Sequence, residues 1–152
     1  TTRVFETIMK FVDSGIKCCV NIDPIIPFIT DSEEHIVSIV DKCQQSGIRY
    51  ISGSVLRLRH DIWVRIREIL ELFGISWTIE EYERIYGFQE PFMHDNNQSA
   101  NKTYIDKVLD NLKYEVSTRN IVFGFSELIE QLTKVKQEYT ISSKQCRISE
   151  FV

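Results

Sequence analysis

Residues 20–36 read VNIDPIIPFITDSEEHI, and the fold is decided at the corner inside this stretch. An apolar run ends abruptly at Asp23, two prolines follow at positions 24 and 27, and a helical pattern begins almost at once. Pro24 fixes its own φ and biases Asp23 toward an extended conformation. The stretch therefore predicts a strand that ends in a rigid corner with a carboxylate at its tip.

Helices and strands alternate on both sides of this corner. Apolar residues recur at helical spacing over residues 3–14, which predicts a helix. The segment 16–23 is short and rich in β-branched side chains, which predicts a strand. A second helix, capped by Thr30 or Asp31, runs to about Gln45. A second strand at 48–56 and a third helix capped by Asp61 and ending at Gly74 follow.

This alternation indicates parallel strands joined by right-handed crossovers, in an α/β layer or part of a barrel. After residue 60 the chain is mainly helical, with helices predicted at 78–86, 102–116 and 126–139. A polar, Asn-rich loop or disordered segment separates the first two, and NIVFGF at 120–125 reads as a short strand. We therefore divide the chain into an α/β part, 1–60, and a mainly helical extension, 61–152.

Composition excludes some classes of protein. The 152 residues are 43% hydrophobic and 26% charged, which is ordinary for a globular domain, and the net charge is −4. This charge gives no general attraction to nucleic acid or anionic lipid, and no apolar run approaches the roughly 20 residues of a membrane span. The four cysteines have no C-x-x-C spacing and are expected to be buried, reduced thiols of a cytoplasmic protein.

Polar side chains are predicted to share one face of the two strands. Strand alternation places Asn21 and Asp23 opposite the apolar set of the first strand, and Ser52 and Ser54 opposite Gly53 in the second. The carboxyl end of a parallel sheet is where such folds place ligands, so these side chains predict a shared pocket. Two other interpretations stay open: Asp23 caps the turn, and the serines are small interior fillers.

Two arginines in LRLRHD form a further candidate. Arg57 and Arg59 project at strand spacing onto one face, where they either pair with carboxylates or contact an anionic substrate or phosphate backbone. Trp63 and Trp77 are predicted to pack in the core. The chain has no G-x-G-x-x-G, P-loop, H-E-x-x-H or nucleophile-elbow motif.

Residues 3–59 resemble the radical SAM family related to spore photoproduct lyase and the DNA repair photolyases. The resemblance rests on the D-P-x-x-P-x-x-x-D spacing from Asp23 to Asp31 and on Leu56-Arg57-Leu58, preceded by a helix with an early Arg3. It implies the carboxy-terminal half of a TIM-like barrel of parallel strands, followed by a helical extension.

The resemblance also implies a cofactor and site residues. The family cleaves S-adenosylmethionine at a [4Fe–4S] cluster held by a C-x-x-x-C-x-x-C loop, which this chain lacks. We therefore expect a piece of a radical SAM enzyme that is inactive alone and binds neither cofactor by itself. Carried over by position, Asn21, Asp23, Ser52 and Ser54 are cofactor-binding candidates, and Arg57 and Arg59 are substrate-binding candidates.

Partners follow from the same interpretation. A half-barrel leaves an open sheet edge, which predicts pairing with the missing amino-terminal half of the barrel or with a second copy of the chain. DNA as a substrate is indicated only by the family resemblance and by the arginines, and the net charge of −4 does not support it. The alternatives are a non-catalytic α/β interaction or regulatory domain, and a different barrel enzyme that uses carboxylate chemistry at Asp23.

Overall fold

The computed structural model describes residues 2–87, 97–126, 128–130 and 133–134, which form a mixed α/β fold. The elements in chain order are α1 (Thr2–Asp13), β1 (Cys19–Ile25), α2 (Glu33–Gln45), β2 (Tyr50–Val55), β3 (Arg57–Leu58), α3 (His60–Leu72), α4 (Thr78–Tyr86), β4 (Gln98–Ser99), α5 (Lys102–Thr118) and β5 (Val122–Phe123). Residues 126, 128–130 and 133–134 are helical, in agreement with the helix predicted there.

The main sheet has three parallel strands in the order β1-β2-β5. The predicted parallel α/β layer is thus confirmed, and no closed barrel is formed by the residues that the structure describes. The third strand, β5, comes from the segment after residue 60 and pairs with the central strand β2. A separate antiparallel pair, β3 with β4, was not predicted from the sequence.

One face of the sheet is covered by helices. Val20 and Ile22 of β1 pack against the core, as strand alternation predicted, and Ile51 of β2 is fully buried. Helix α5 lies against β2 and α2, with Leu112 over Gly53. A Cβ on Gly53 would lie 2.8 Å from Leu112 Cδ2, so this glycine permits a close approach of α5 to the sheet.

Two predicted helix caps were wrong. Helix α2 is capped by Ser32, whose hydroxyl accepts from the backbone N–H of His35, and not by Thr30 or Asp31. The N-cap of α3 is Arg59, which makes no side-chain capping bond, while Asp61 lies within the first turn. Both errors are shifts of one or two residues, and before α2 the neighbouring Thr30, Asp31 and Ser32 are all capping side chains.

Aromatic residues of α3 and α4 hold the segments that follow β1 and β2. The Tyr82 hydroxyl donates to the Pro27 carbonyl over 2.7 Å, and the Tyr86 hydroxyl donates to the Leu56 carbonyl over 2.6 Å. Trp63 is buried and packs against Tyr82, as expected. Trp77 is 67% exposed, so the prediction that it packs in the core was wrong.

The cysteines differ in their environments. Cys43 is fully buried, Cys18 is half-buried and Cys19 is exposed, and all three are free thiols. Burial raises the pKa of the Cys43 thiol to about 11. The expectation of a buried, reduced thiol is confirmed for Cys43 and is wrong for Cys19, while Cys146 lies outside the described residues.

None of the helices that the structure describes is both long and apolar enough to cross a bilayer.

Candidate functional site

The register of β1 and β2 brings the four predicted cofactor-binding residues together. Asn21 pairs directly with Ser52 across the two strands, and Asp23 and Ser54 lie two residues further along the same face. We call Asn21, Asp23, Ser52 and Ser54 the polar ladder. It lies on the face of the sheet opposite Leu112 and the covering helices.

Hydrogen bonds connect the polar ladder across and along the strands. Ser52 Oγ donates to Asn21 Oδ1 over 2.6 Å, and Ser54 Oγ donates to Asp23 Oδ1 over 2.5 Å. A longer contact of 3.5 Å joins Asn21 Nδ2 to Asp23 Oδ2. Both serine hydrogens therefore point into the ladder, and mainly acceptor lone pairs remain for a ligand.

The polar ladder is accessible from solvent. Asn21 and Asp23 are exposed and the two serines are half-buried, while Tyr50, on the same face at the amino end of β2, is buried. None of the ion pairs among the described residues includes Asp23. Among the described residues, its carboxylate is thus held in place by neutral donors.

The corner after Asp23 is stabilised by other side chains. The Asp23–Pro24 peptide bond is cis, the register with β2 shifts after Ile22, and pairing resumes between Ile25 and Val55. The backbone N–H of Ile26 donates to Thr30 Oγ1 over 2.8 Å. Thr30, rather than Asp23, thus supplies the side chain that caps this turn, and Asp23 forms hydrogen bonds with Asn21 and Ser54 of the polar ladder.

Asp31, the last residue of the D-P-x-x-P-x-x-x-D spacing, has a partner that sequence reasoning missed. The Tyr104 hydroxyl, on α5, donates to Asp31 Oδ2. Burial and this hydrogen bond to the Asp31 carboxylate raise the pKa of Tyr104. The two residues are 73 positions apart, and no local pattern could have paired them.

The arginine candidates have different environments. Arg59 forms a bidentate contact with Asp61: Nε donates to Oδ1 over 3.1 Å and Nη2 donates to Oδ2 over 2.7 Å. These hydrogen bonds lower the pKa of Asp61. Arg57 is exposed on β3, opposite Ser99 of β4. Of the two, Arg59 has a carboxylate partner, whereas none of the ion pairs among the described residues includes Arg57.

The described residues contain no cluster of three or more histidine, cysteine or acidic side chains suited to a metal ion. Cys43 is enclosed in the core, whereas Cys18, just before β1, is half-buried and Cys19 is exposed. The cysteines that are described therefore do not fit the ligand set of an iron–sulfur cluster.

Comparisons with protein-family models, with curated proteins and with solved structures found no match.

Proposed function

We propose that this chain forms the carboxy-terminal wall of a radical SAM-type cavity, in which the polar ladder binds the adenosyl cofactor. The observation that carries the proposal is the position of the polar ladder near the carboxyl ends of two adjacent parallel strands, where α/β folds bind ligands. On this proposal the chain supplies binding groups and is inactive without a cluster-bearing half.

The layering of the fold supports a segment of a barrel. Helices α1, α2 and α5 contribute to one face of the sheet, while polar side chains occupy the carboxyl half of the other. In a barrel the helix-covered face is outside and the second face is inside. Strand β1 is at the edge of the sheet, which leaves room for a further strand beside it.

Helix α1 gives independent support for a missing neighbour. The apolar residues of α1 extend around a wide face of the helix. Ile8 on this face packs against the core, whereas the side chains of Val4 and Phe11, seven residues apart, are 59% and 48% exposed. Among the described residues, both α1 and β1 are therefore incompletely covered, as expected for elements at the edge of a larger layer.

The chemistry of the polar ladder fits the polar parts of S-adenosylmethionine. Because its serine hydrogens point inward, the ladder offers carboxylate, amide and hydroxyl oxygens to hydrogen-bond donors. Ribose hydroxyls and an α-ammonium group are such donors. The iron–sulfur cluster is different, because the described cysteines do not fit it, and we assign no step of the proposal to a cluster on this chain.

Arg57 is the better of the two substrate-binding candidates. Its guanidinium is exposed, whereas the guanidinium of Arg59 is already bonded to Asp61. An arginine without a carboxylate partner is suited to a carboxylate or phosphate of a substrate. We therefore propose Arg57 as the anion contact and Arg59 as a residue that orders the start of α3.

A second candidate function is a non-catalytic interaction domain. Large apolar side chains are exposed around the end of α3 and the turn that follows, with Leu72 at 81%, Phe73 at 73% and Trp77 at 67%. Exposed aromatic and aliphatic groups of this kind occur at protein interfaces. This alternative requires no ligand at the polar ladder.

The experiment that separates the two functions begins with the parent gene. The radical SAM proposal requires a C-x-x-x-C-x-x-C motif encoded in frame upstream of Thr1, about half a barrel earlier. The protein that includes this segment would then be loaded with iron and sulfide without oxygen and assayed for reductive cleavage of S-adenosylmethionine. A parent sequence without the motif, or a loaded protein without cleavage, would contradict the proposal.

A further inference from the structure

A slot lies on the helix-covered side of the sheet, between α1, α2 and β1. Its volume is about 320 Å³, at the lower end of the range for small-molecule pockets. Buried and half-buried apolar side chains form its interior: Phe5, Ile22, Ile25, Ile36, Ile39 and Leu112. The slot is on the opposite side of the sheet from the polar ladder.

Helices α1 and α2 both contribute side chains to the slot. Along α2, His35, Ser38 and Lys42 follow i, i+3, i+7 spacing and line one side of the slot. Helix α1 presents Phe5 to the same space.

The rim of the slot is polar and carries a positive charge. Thr30, His35, Ser38 and Lys42 are exposed, in contrast to the interior. Among the described residues no carboxylate forms an ion pair with Lys42. The Nδ1 atom of His35 lies 2.7 Å from Ser32 Oγ, which leaves Nε2 for another partner.

We propose that this slot binds a small amphipathic carboxylate, with its apolar body between Phe5 and Ile39 and its carboxylate at Lys42. Charge complementarity with Lys42 selects an anionic head, and the apolar interior selects a hydrocarbon body. A cavity of about 150 Å³ holds benzene, so a slot about twice as large fits a body of two fused rings.

The test uses 2-naphthoate as the probe and 2-naphthamide as its neutral counterpart, with backbone amide NMR shifts of the chain as the readout. We expect saturable binding of naphthoate, with the largest shifts at Phe5, Ile39 and Lys42. Lys42→Met keeps the aliphatic stem and removes the charge. It should weaken naphthoate binding about fivefold and leave naphthamide binding unchanged, as for loss of one exposed ion pair.

Two further variants make the result decisive. Lys10→Met removes an exposed lysine of α1 that does not line the slot, and it should leave naphthoate binding unchanged. Ile39→Phe adds volume inside the slot and should abolish binding of both probes. Absence of saturable binding would overturn the proposal, and so would equal effects of Lys42→Met and Lys10→Met or naphthamide binding as tight as that of naphthoate.

Discussion

The hydroxyl of Ser54 donates a hydrogen bond of 2.5 Å to Asp23 Oδ1, which ties the carboxyl end of β1 to β2. Two residues earlier on each strand, the hydroxyl of Ser52 on β2 likewise donates to Asn21 Oδ1 on β1. Two parallel strands thus orient their polar side chains before any ligand arrives. A site oriented in this way loses less side-chain entropy on binding, which favours affinity.

Gly53, between the two serines, is expected to tolerate no side chain. In Gly53→Ala the new Cβ would lie 2.8 Å from Leu112 Cδ2 and 3.2 Å from the Ile22 carbonyl oxygen. Because backbone and helix must shift, we expect a loss of about 1–3 kcal/mol in the free energy of unfolding, measured by urea denaturation.

A double mutant provides the control for this clash. Leu112→Ala alone should cost about 2–5 kcal/mol because it leaves a cavity beneath α5. The double variant should be more stable than the sum of the two losses predicts, because the truncated side chain makes room for the new methyl group. Strict additivity would show that Gly53 and Leu112 do not meet.

Tyr82→Phe should destabilise the corner after β1. The Tyr82 side chain is fully buried, and its hydroxyl donates to the Pro27 carbonyl. Removing that donor leaves a buried acceptor without its hydrogen bond, at a cost of about 1–3 kcal/mol in the free energy of unfolding. The matched control is Tyr114→Phe, at a residue that is 65% exposed, which should change stability by less than about 0.5 kcal/mol. Equal effects of the two substitutions would contradict the assigned hydrogen bond.

Arg119, at the end of α5, contacts Asp41 of α2 and Glu115 of its own helix. Its Nε lies 2.5 Å from Asp41 Oδ1 and its Nη1 lies 2.6 Å from Glu115 Oε2, and the side chains of Arg119 and Glu115 are 16% and 11% exposed. Arg119→Met would leave a largely buried carboxylate without its partner, so we expect a loss of about 2 kcal/mol, after allowing for partial exposure.

The control for this ion pair is Arg84→Met, which removes the exposed pair with Glu81. Exposed pairs contribute little, so its effect on the free energy of unfolding should stay below about 1 kcal/mol. The interpretation of Arg119 as a buried connector would be wrong if the two arginine variants unfolded at the same denaturant concentration.

The pair of Arg59 and Asp61 predicts a pH dependence. The hydrogen bond from Arg59 lowers the pKa of Asp61 in the folded protein, below the reference value of about 3.9. The resulting stabilisation is present above pH 4 and is lost as the pH falls through the folded pKa, because protonation of Asp61 removes its charge. In an NMR titration, Arg59→Met should move the Asp61 midpoint upward. Arg67→Met removes the pair with Glu71 and should leave the midpoint of Asp61 unchanged. If Arg59→Met also left that midpoint unchanged, the pair of Arg59 with Asp61 would be excluded.

Local patterns predicted the faces of the strands better than the ends of the helices. Alternation alone placed Asn21 and Asp23 on one face of β1 and Ile22 on the other, because a strand has only two faces. The cap of α2 was misplaced by one or two residues because Thr30, Asp31 and Ser32 are all capping side chains.

Contacts between distant segments could not be predicted from the sequence. The pairing of β5 with β2, the hydrogen bond from Tyr104 to Asp31 and the link from Arg119 to Asp41 all join residues more than 70 positions apart. Each depends on how α5 lies across the sheet, which no periodicity within one segment specifies.

The most direct test of the central claim is the dissociation constant of S-adenosylmethionine for this chain together with the cluster-bearing half that the proposal requires. In Asp23→Asn the side chain can still accept from Ser54 but has lost its charge, so we expect a dissociation constant at least tenfold higher. Asp106→Asn, at an exposed position of α5 away from the polar ladder, should leave the constant unchanged. A constant that Asp23→Asn does not alter would contradict the assignment of the polar ladder as the cofactor-binding wall.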